Sequence, residues 1–221
     1  MTDEMDPVTE WSAARRRVSL LVALLDPATA NAPVPATPDW SVRDLLAHMV
    51  GLGVDVVAGD EPDDHNAAWT QRHVDDRRDR DIADLLAEWD DVAPQLESWM
   101  RAHNPRPLGD VIIHEQDLRG ALGVPGGQDT PGLRAIRDQM VTRFAPNVTG
   151  ALTLQGEQWS WSSPGDGPRT VVTASDFDLA RAVVSRRSAA QLRSWTTSGD
   201  VEPFLDAFAV LGSLPDADLV E

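Results

Sequence analysis

The 221-residue chain contains no cysteine and no tyrosine, and all 19 of its basic residues are arginine. Without cysteine, the protein can form neither disulfides nor thiolate metal ligands, and it has no cysteine nucleophile. Any thiol chemistry must therefore use a thiol that a small molecule supplies. The chain also lacks an apolar run of the roughly 20 residues that span a bilayer. Its acidic start does not have the pattern of a secretory signal. We therefore expect a cytoplasmic protein.

Positive charge is scarce as well. The net charge is −17, from 36 acidic residues against 19 basic ones. Such a field repels phosphate backbones and anionic lipids, so we expect neither nucleic acid nor membrane as a partner. The one basic cluster, Arg15–Arg17, is predicted to lie on a solvated helix face. The exclusive use of arginine, with abundant Ala, Asp and Val, is typical of proteins from GC-rich actinobacteria.

Hydrophobic periodicity organises the N-terminal part of the chain. Apolar residues at helical spacing predict four helices, over 8–25, 41–58, 80–102 and 108–122. Helices of this length and order favour a four-helix bundle with at least one long crossing. The intervening segment 59–79 is highly charged and is predicted to be a loop with at most one irregular helical turn.

The C-terminal part has a different pattern. Period-two alternation between turn residues predicts strands, and two helical patterns lie among them. The predicted strands are 151–156, 158–163, 169–175 and 191–199, and the predicted helices are 132–145, 176–187 and 201–212. The fold class is therefore α+β, with a helical domain over 1–126 and a small α+β domain over 127–221.

Two of the bundle helices carry residues suited to metal binding. The second contributes His48, and the fourth contributes Asp110 and His114. Residues four apart lie on the same face of a helix, and on a helical wheel this pair is flanked by apolar residues and lies opposite Arg119. Two imidazoles and one carboxylate from facing helices make a metal site with positions open for water or substrate. The alternative for each histidine is a hydrogen-bonded core residue.

The other candidate ligands are assigned to other roles. Asp44 stands three residues after Ser41 and forms a capping box with it, which makes it a cap rather than a ligand. Asp117 is a candidate outer partner of the site or a helix-pairing group. His65, His73 and His103 are predicted to be exposed.

Two motifs resemble those of a known family. The segment PDWSVRDLLAH (38–48) is similar to the P-G-W-[ST]-V-R-D-[LV]-[LV]-A-H signature of mycothiol-dependent maleylpyruvate isomerases. The segment DVIIHEQDLRGALG (110–123) resembles the second motif of that family, [ED]-x-x-x-H-x-x-D-x-x-x-A-L-G. The C-terminal DLARAVVSRRS (178–188) and SGD (198–200) resemble two further family patterns. The resemblance implies a DinB-like four-helix bundle followed by a small α+β domain similar to sterol-carrier folds.

The resemblance also implies a zinc ion held by His48, Asp110 and His114, with mycothiol as the thiol. It places Arg186 as a contact for a substrate carboxylate. Two residues depart from the family pattern. Asp110 stands where the named isomerase has glutamate, which brings the strength of metal binding into question. Ser185 stands where the family has the glycine before its arginine, which brings the substrate contact into question.

The expected function is a zinc-binding, mycothiol-dependent transferase or isomerase acting on a small electrophilic, anionic substrate. In the family chemistry, the thiolate adds to an electrophilic carbon, a double bond becomes single, rotation follows and the thiol leaves. The alternatives are a metal-dependent hydrolase of the DinB-like superfamily and a non-enzymatic metal-binding regulatory protein. We expect small-molecule partners only, and a monomer or a dimer.

Overall fold

The chain folds into two units in the computed structural model, which describes residues 5–221. The first unit extends to Gly127 and includes Glu221, and the second covers Gln128–Val220. The elements of the first unit are α1 (Pro7–Val22), α2 (Pro27–Ala30), β1 (Pro33–Val34), β2 (Thr37–Ser41), α3 (Val42–Ala58), α4 (Ala67–Asp75), α5 (Ile82–Ala102) and α6 (Pro107–Leu122).

The helix α3 is central to the first unit. It begins at the predicted capping box, in which Ser41 Oγ accepts a hydrogen bond from the Asp44 backbone amide and the Asp44 carboxylate accepts one from the Ser41 amide. Each satisfied amide would otherwise lack an intrahelical partner. The helix ends at Gly59, whose φ of 78° is left-handed and suits glycine. These two ends confirm the predicted helix 41–58.

The long helices α1, α3, α5 and α6 form the expected bundle. α3 packs against α5, α6 and α4, and α1 packs against α6 and α5. The core between them contains fully buried aromatic and aliphatic side chains, with Trp11 and Trp89 meeting edge to face at a centroid distance of 6.4 Å. The other large buried side chains of the bundle are Leu45, Leu46, Leu85, Leu96, Ile112 and Leu118.

The prediction of a loop over 59–79 was wrong, because the segment contains the helix α4. The Asn66 side chain caps this helix by accepting a hydrogen bond from the Trp69 amide. Trp69 and His73, four residues apart, are both buried and lie against α3. Only Trp69, His73 and Val74 of this helix are buried, and the charged residues around them hid the helical period.

The second unit combines helices with a mixed sheet. Its elements are α7 (Pro131–Phe144), β3 (Leu152–Gln155), β4 (Ser160–Ser162), β5 (Thr170–Thr173), α8 (Asp176–Ala182), α9 (Ala189–Ser194) and β6 (Thr196–Ser198), with 3₁₀ turns at Ala145–Asn147 and Glu202–Phe208. The strand order is β4-β3-β5-β6, with β3 and β5 parallel and the other pairs antiparallel. The α+β class and the first three predicted strands are confirmed.

Three of the predictions for the second unit were wrong. Residues 191–199 were predicted as one strand, but Ser188 and Gln191 form a capping box that begins α9, and only Thr196–Ser198 is extended. The predicted helix 176–187 ends at Ala182, before Ser185 takes a left-handed φ of 59°. The predicted helix 201–212 is a shorter 3₁₀ segment.

Among residues 5–221, no helix is both long enough and apolar enough to cross a bilayer.

Candidate metal centre

The side chains of His48, Asp110 and His114 converge between α3 and α6. His48 lies in the middle of α3 and is 5% exposed. Asp110 and His114 lie one turn apart on α6, which begins at Pro107 and ends at the left-handed Gly123. The potential ligand atoms of the three residues all lie within 4.8 Å of one another. The structure therefore brings together the three residues that the sequence singled out.

The distances within this cluster suit a metal of zinc size. His48 Nε2 lies 3.2 Å from Asp110 Oδ1, and His114 Nε2 lies 3.4 Å from the same oxygen. Zinc binds nitrogen and oxygen at about 2.0–2.2 Å, so neighbouring ligands at the corners of a tetrahedron are about 3.3–3.6 Å apart. The shorter side chain of Asp110 thus reaches both imidazoles.

Each of the two histidines has a polar partner at its Nδ1 atom. His114 Nδ1 lies 2.8 Å from Oδ2 of Asp117, whose side chain is buried. His48 Nδ1 lies 3.1 Å from Nδ1 of His73. Each imidazole therefore has a partner at Nδ1, and its Nε2 points to Asp110. A histidine bonded at one nitrogen to an outer partner is the usual arrangement of a metal ligand.

The electrostatics of the site favour positive charge between the three groups. Burial would raise the pKa of the Asp110 carboxyl, but the neighbouring His114 and His48 lower it well below its usual range. Burial would lower the pKa of His114, yet Asp110 and Asp117 outweigh it and raise that pKa to about 9. Asp110 is therefore ionised and needs a cationic neighbour, and a divalent metal meets the same need.

Aromatic rings line the His48 side of the cluster. The Trp40 ring, on β2, lies over His48 with 4.9 Å between ring centroids, and its indole nitrogen donates to Gln71 on α4. His48 and His114 meet edge to face at 5.3 Å. The rings restrict the imidazole of His48 to one orientation and keep water from that side.

The other candidate ligands of the sequence lie outside the three-residue cluster. Asp44 is a cap, as predicted, and His65 and His103 are exposed, as predicted. The prediction of an exposed His73 was wrong, because this residue is 1% exposed and contacts both His48 and Asp55. Sequence reasoning missed it because it lies in the segment assigned to a loop. The four-residue spacing of Trp69 and His73 is the signal that could have indicated a buried face.

Arg186 lies in the second unit. It is 8% exposed, and its guanidinium donates to the Val184 carbonyl. The preceding Ser185 has a φ of 59°, a conformation that glycine adopts readily. The Ser185 hydroxyl donates to the Phe208 carbonyl and accepts from the Leu211 amide, which anchors this residue. The substitution of glycine by serine is therefore compatible with a left-handed backbone in front of Arg186.

The fold and the site define a helical-bundle protein with a candidate metal centre between two of its helices, joined to a small α+β unit. Residues 11–115, which include all three candidate ligands, match the family model of the mycothiol maleylpyruvate isomerase N-terminal domain. This part of the chain is therefore similar to that domain family, as the two motifs indicated.

Comparison of folds extends the similarity beyond the bundle. The crystal structure of the mycothiol-dependent maleylpyruvate isomerase superposes with a TM-score of 0.59 at 14% identity, and that of a single-residue mutant of the same enzyme with 0.60 at 15%. Both alignments cover 87% of this chain and 91% of the other. At such low identity the likeness establishes the fold. No curated protein is detectably similar in sequence.

Proposed function

We propose that the protein is a divalent-metal enzyme that uses a small-molecule thiol, mycothiol, in an isomerase or thiol-transferase reaction. The observation that carries the proposal is the approach of His48 Nε2 and His114 Nε2 to one oxygen of Asp110, at 3.2 and 3.4 Å. Three ligands leave one tetrahedral position for a thiol or a substrate. The family of the helical unit and the fold of the mycothiol-dependent enzyme support the choice of thiol.

The charge of the ligand set agrees with thiol chemistry. One carboxylate and two neutral imidazoles leave a net charge of about +1 on a divalent ion, which favours an anion at the open position. A zinc ion held there would lower the pKa of a bound thiol, so that the thiolate is present near neutral pH. The chain contains no cysteine that could compete for the metal. The thiol must therefore come from solution.

The residues of the chain then have distinct roles. Asp110 supplies the anionic ligand of the set. His48 supplies a neutral nitrogen that His73 orients, and His114 supplies one that Asp117 orients. Trp40 covers one face of His48. Arg186 is the proposed contact for a substrate carboxylate, because a guanidinium binds a carboxylate through two parallel hydrogen bonds. The proposed substrate is a small electrophile with a carboxylate, such as maleylpyruvate.

The first experiment measures metal content and thiol binding. We expect the purified protein to retain or take up one equivalent of zinc, and His48→Ala to bind less. Mycothiol should raise the melting temperature of the zinc-loaded protein, because a ligand that binds the folded state stabilises it. S-methylated mycothiol, which cannot form a thiolate, is the matched control. The proposal fails if the protein binds no divalent metal, or if mycothiol and its S-methyl form behave alike.

The second experiment tests turnover. Maleylpyruvate and a panel of small electrophiles are incubated with zinc-loaded protein, with and without mycothiol. We expect conversion that requires both the thiol and the metal. Arg186→Gln should weaken this conversion by raising the KM for carboxylate substrates. Turnover without thiol would instead indicate a hydrolase that uses metal-bound water.

A further inference from the structure

His73 joins two residues of α3 that lie two helical turns apart. His48 and Asp55 are seven residues apart, a rise of about 10 Å along a helix. His73, on the neighbouring α4, places its Nδ1 3.1 Å from His48 Nδ1 and its Nε2 3.2 Å from Asp55 Oδ2. A continuous chain of polar contacts therefore connects Asp55 to His48, and it ends at the metal position on the far side of His48.

The two imidazoles meet end to end. Their planes differ by 30°, and their centroids are 5.2 Å apart although the Nδ1 atoms are separated by only 3.1 Å. The contact thus runs through the ring edges, as an N–H···N hydrogen bond requires. One of the two Nδ1 atoms must carry the proton and the other must accept it.

Asp55 determines which nitrogen of His73 carries the proton. Its Oδ2 accepts from the Trp69 indole at 2.6 Å and from the Arg72 guanidinium at 2.7 Å. Burial would raise the pKa of Asp55, but these donors and His73 lower it, so the carboxylate is ionised and acts only as an acceptor. His73 must therefore direct Nε2–H at Asp55, since an unprotonated nitrogen there would face a negative oxygen.

The metal position fixes the rest of the chain. An imidazole binds a metal through an unprotonated nitrogen, so with a metal at Nε2 His48 would carry its proton on Nδ1. That proton would be directed at the Nδ1 of His73, 3.1 Å away. His73, with its own proton on Nε2 toward Asp55, has the acceptor at Nδ1 that this donor needs.

We infer that Asp55 and His73 are positioning residues that fix the proton of His48 on Nδ1 and so turn the Nε2 lone pair toward the metal. The inference rests on the proposed function, since it concerns the same metal site. Metal ligands bonded in this way bind more tightly, and loss of the outer partner costs about 10–100-fold in affinity. His73 and Asp55 lie outside the candidate ligand set and act through His48.

The shape of α3 supports this role independently. Gly51 lies one turn after His48, on the face that meets α4, and a Cβ there would stand 2.5 Å from Cβ and 2.6 Å from Cγ of His73. Real side chains do not approach so closely. The His73 ring can therefore reach between His48 and Asp55 only because position 51 is glycine.

The first test is the tautomer of His73, measured by long-range ¹H–¹⁵N correlation in the zinc-loaded wild-type protein near neutral pH. The expected result is a protonated Nε2 and an unprotonated Nδ1. A proton on Nδ1 of His73 in the zinc-loaded protein would reverse the chain and overturn the inference while leaving the proposed function intact. Failure to bind any divalent metal would instead overturn the proposed function, and the inference with it.

The second test compares zinc affinity, by competition with a chelator, in four variants whose folding is checked by circular dichroism. His73→Leu and Asp55→Ala should each weaken zinc binding by about 10–100-fold. His73→Gln should restore affinity to within about threefold of wild type, because its amide can accept from His48 and donate to Asp55. Asp75→Ala, which removes an exposed carboxylate of the same helix α4, is the matched control for Asp55→Ala, with unchanged affinity.

A purely structural role for His73 gives a different pattern. In that case Gln and Leu at position 73 would lower zinc affinity equally, in proportion to their effect on the melting temperature, and the inference would be wrong. If His73→Leu does not fold, the Gln and Asp55→Ala variants and the wild-type tautomer still decide the matter.

Discussion

His48 and Asp110 are 62 residues apart in the chain, yet His48 Nε2 lies 3.2 Å from Asp110 Oδ1. One residue belongs to α3 and the other to α6, so a divalent ion bound at the proposed site would tie two bundle helices together. We therefore expect metal binding and the stability of the bundle to be coupled.

Removal of the metal should lower stability. At a free zinc concentration 100 times the dissociation constant, binding stabilises the folded protein by about 2.7 kcal/mol. We expect the melting temperature of zinc-loaded protein to fall when a chelator is added. His48→Ala should show no such fall, because its site is incomplete. An equal response of the two proteins to the chelator would contradict the coupling.

The charge of Asp110 should matter more than the length of its side chain. Asp110→Asn keeps the shape but removes the only anionic ligand. We expect zinc affinity to drop by at least about 100-fold, beyond the loss that an outer partner causes. Asp110→Glu, which retains the charge and matches the named isomerase of the family, should lose less. Competition with a chelator measures both, and equal losses would show that geometry rather than charge dominates.

Asp117 should tune the metal through His114. Its Oδ2 lies 2.8 Å from His114 Nδ1. Asp117→Asn removes a charged partner, and we expect zinc affinity to fall by about 10–100-fold. Asp91→Asn, which neutralises an exposed carboxylate on α5, controls for the change in net charge. Unchanged affinity in Asp117→Asn would mean that the orientation of His114 does not depend on this bond.

Two glycines of α3 should respond oppositely to alanine. At Gly51 the new Cβ would overlap His73, so Gly51→Ala should destabilise the protein by about 1–3 kcal/mol and weaken zinc binding. At Gly53 the nearest atom is the flexible Leu96 Cδ2 at 3.2 Å. Gly53→Ala should be neutral or stabilising by up to about 1 kcal/mol, because alanine favours the helix. Urea unfolding and chelator competition check both variants.

An ion pair between α1 and α6 corrects the prediction of a fully solvated arginine cluster. Arg17 donates to both carboxylate oxygens of Glu115 at 2.8–3.0 Å, and the Glu115 side chain is 1% exposed. Glu115→Gln should cost about 2 kcal/mol in unfolding free energy, because the half-buried Arg17 guanidinium loses its charged partner. A double-mutant cycle with Arg17→Met should give a coupling of about 1 kcal/mol or more. Additive losses would mean that the pair contributes nothing.

Local rules in the sequence accounted for much of the first unit. The Ser41–Asp44 capping box placed the start of α3, and the four-residue spacing of Asp110 and His114 placed both on one face of α6. Each of these depends on neighbours within one or two turns, which periodicity and capping chemistry describe well. The pairing of α3 with α6 came instead from the family resemblance.

His73 and Arg17 could not be predicted in the same way. The burial of His73 depends on α4 lying against the bare face of Gly51, and its one local sign is the four-residue spacing from Trp69. The pairing of the half-buried Arg17 depends on Glu115, 98 residues away, and so distant a partner leaves no trace in the spacing. The helix α9 was missed for another reason: its six residues are too few to show a helical period.

Ser185 combines a left-handed backbone with two hydrogen bonds that a glycine could not form. The turn in front of Arg186 is therefore secured by side-chain chemistry and does not require a residue without a side chain. A comparison of backbone angles, rather than of motif letters, would recognise this turn in other proteins.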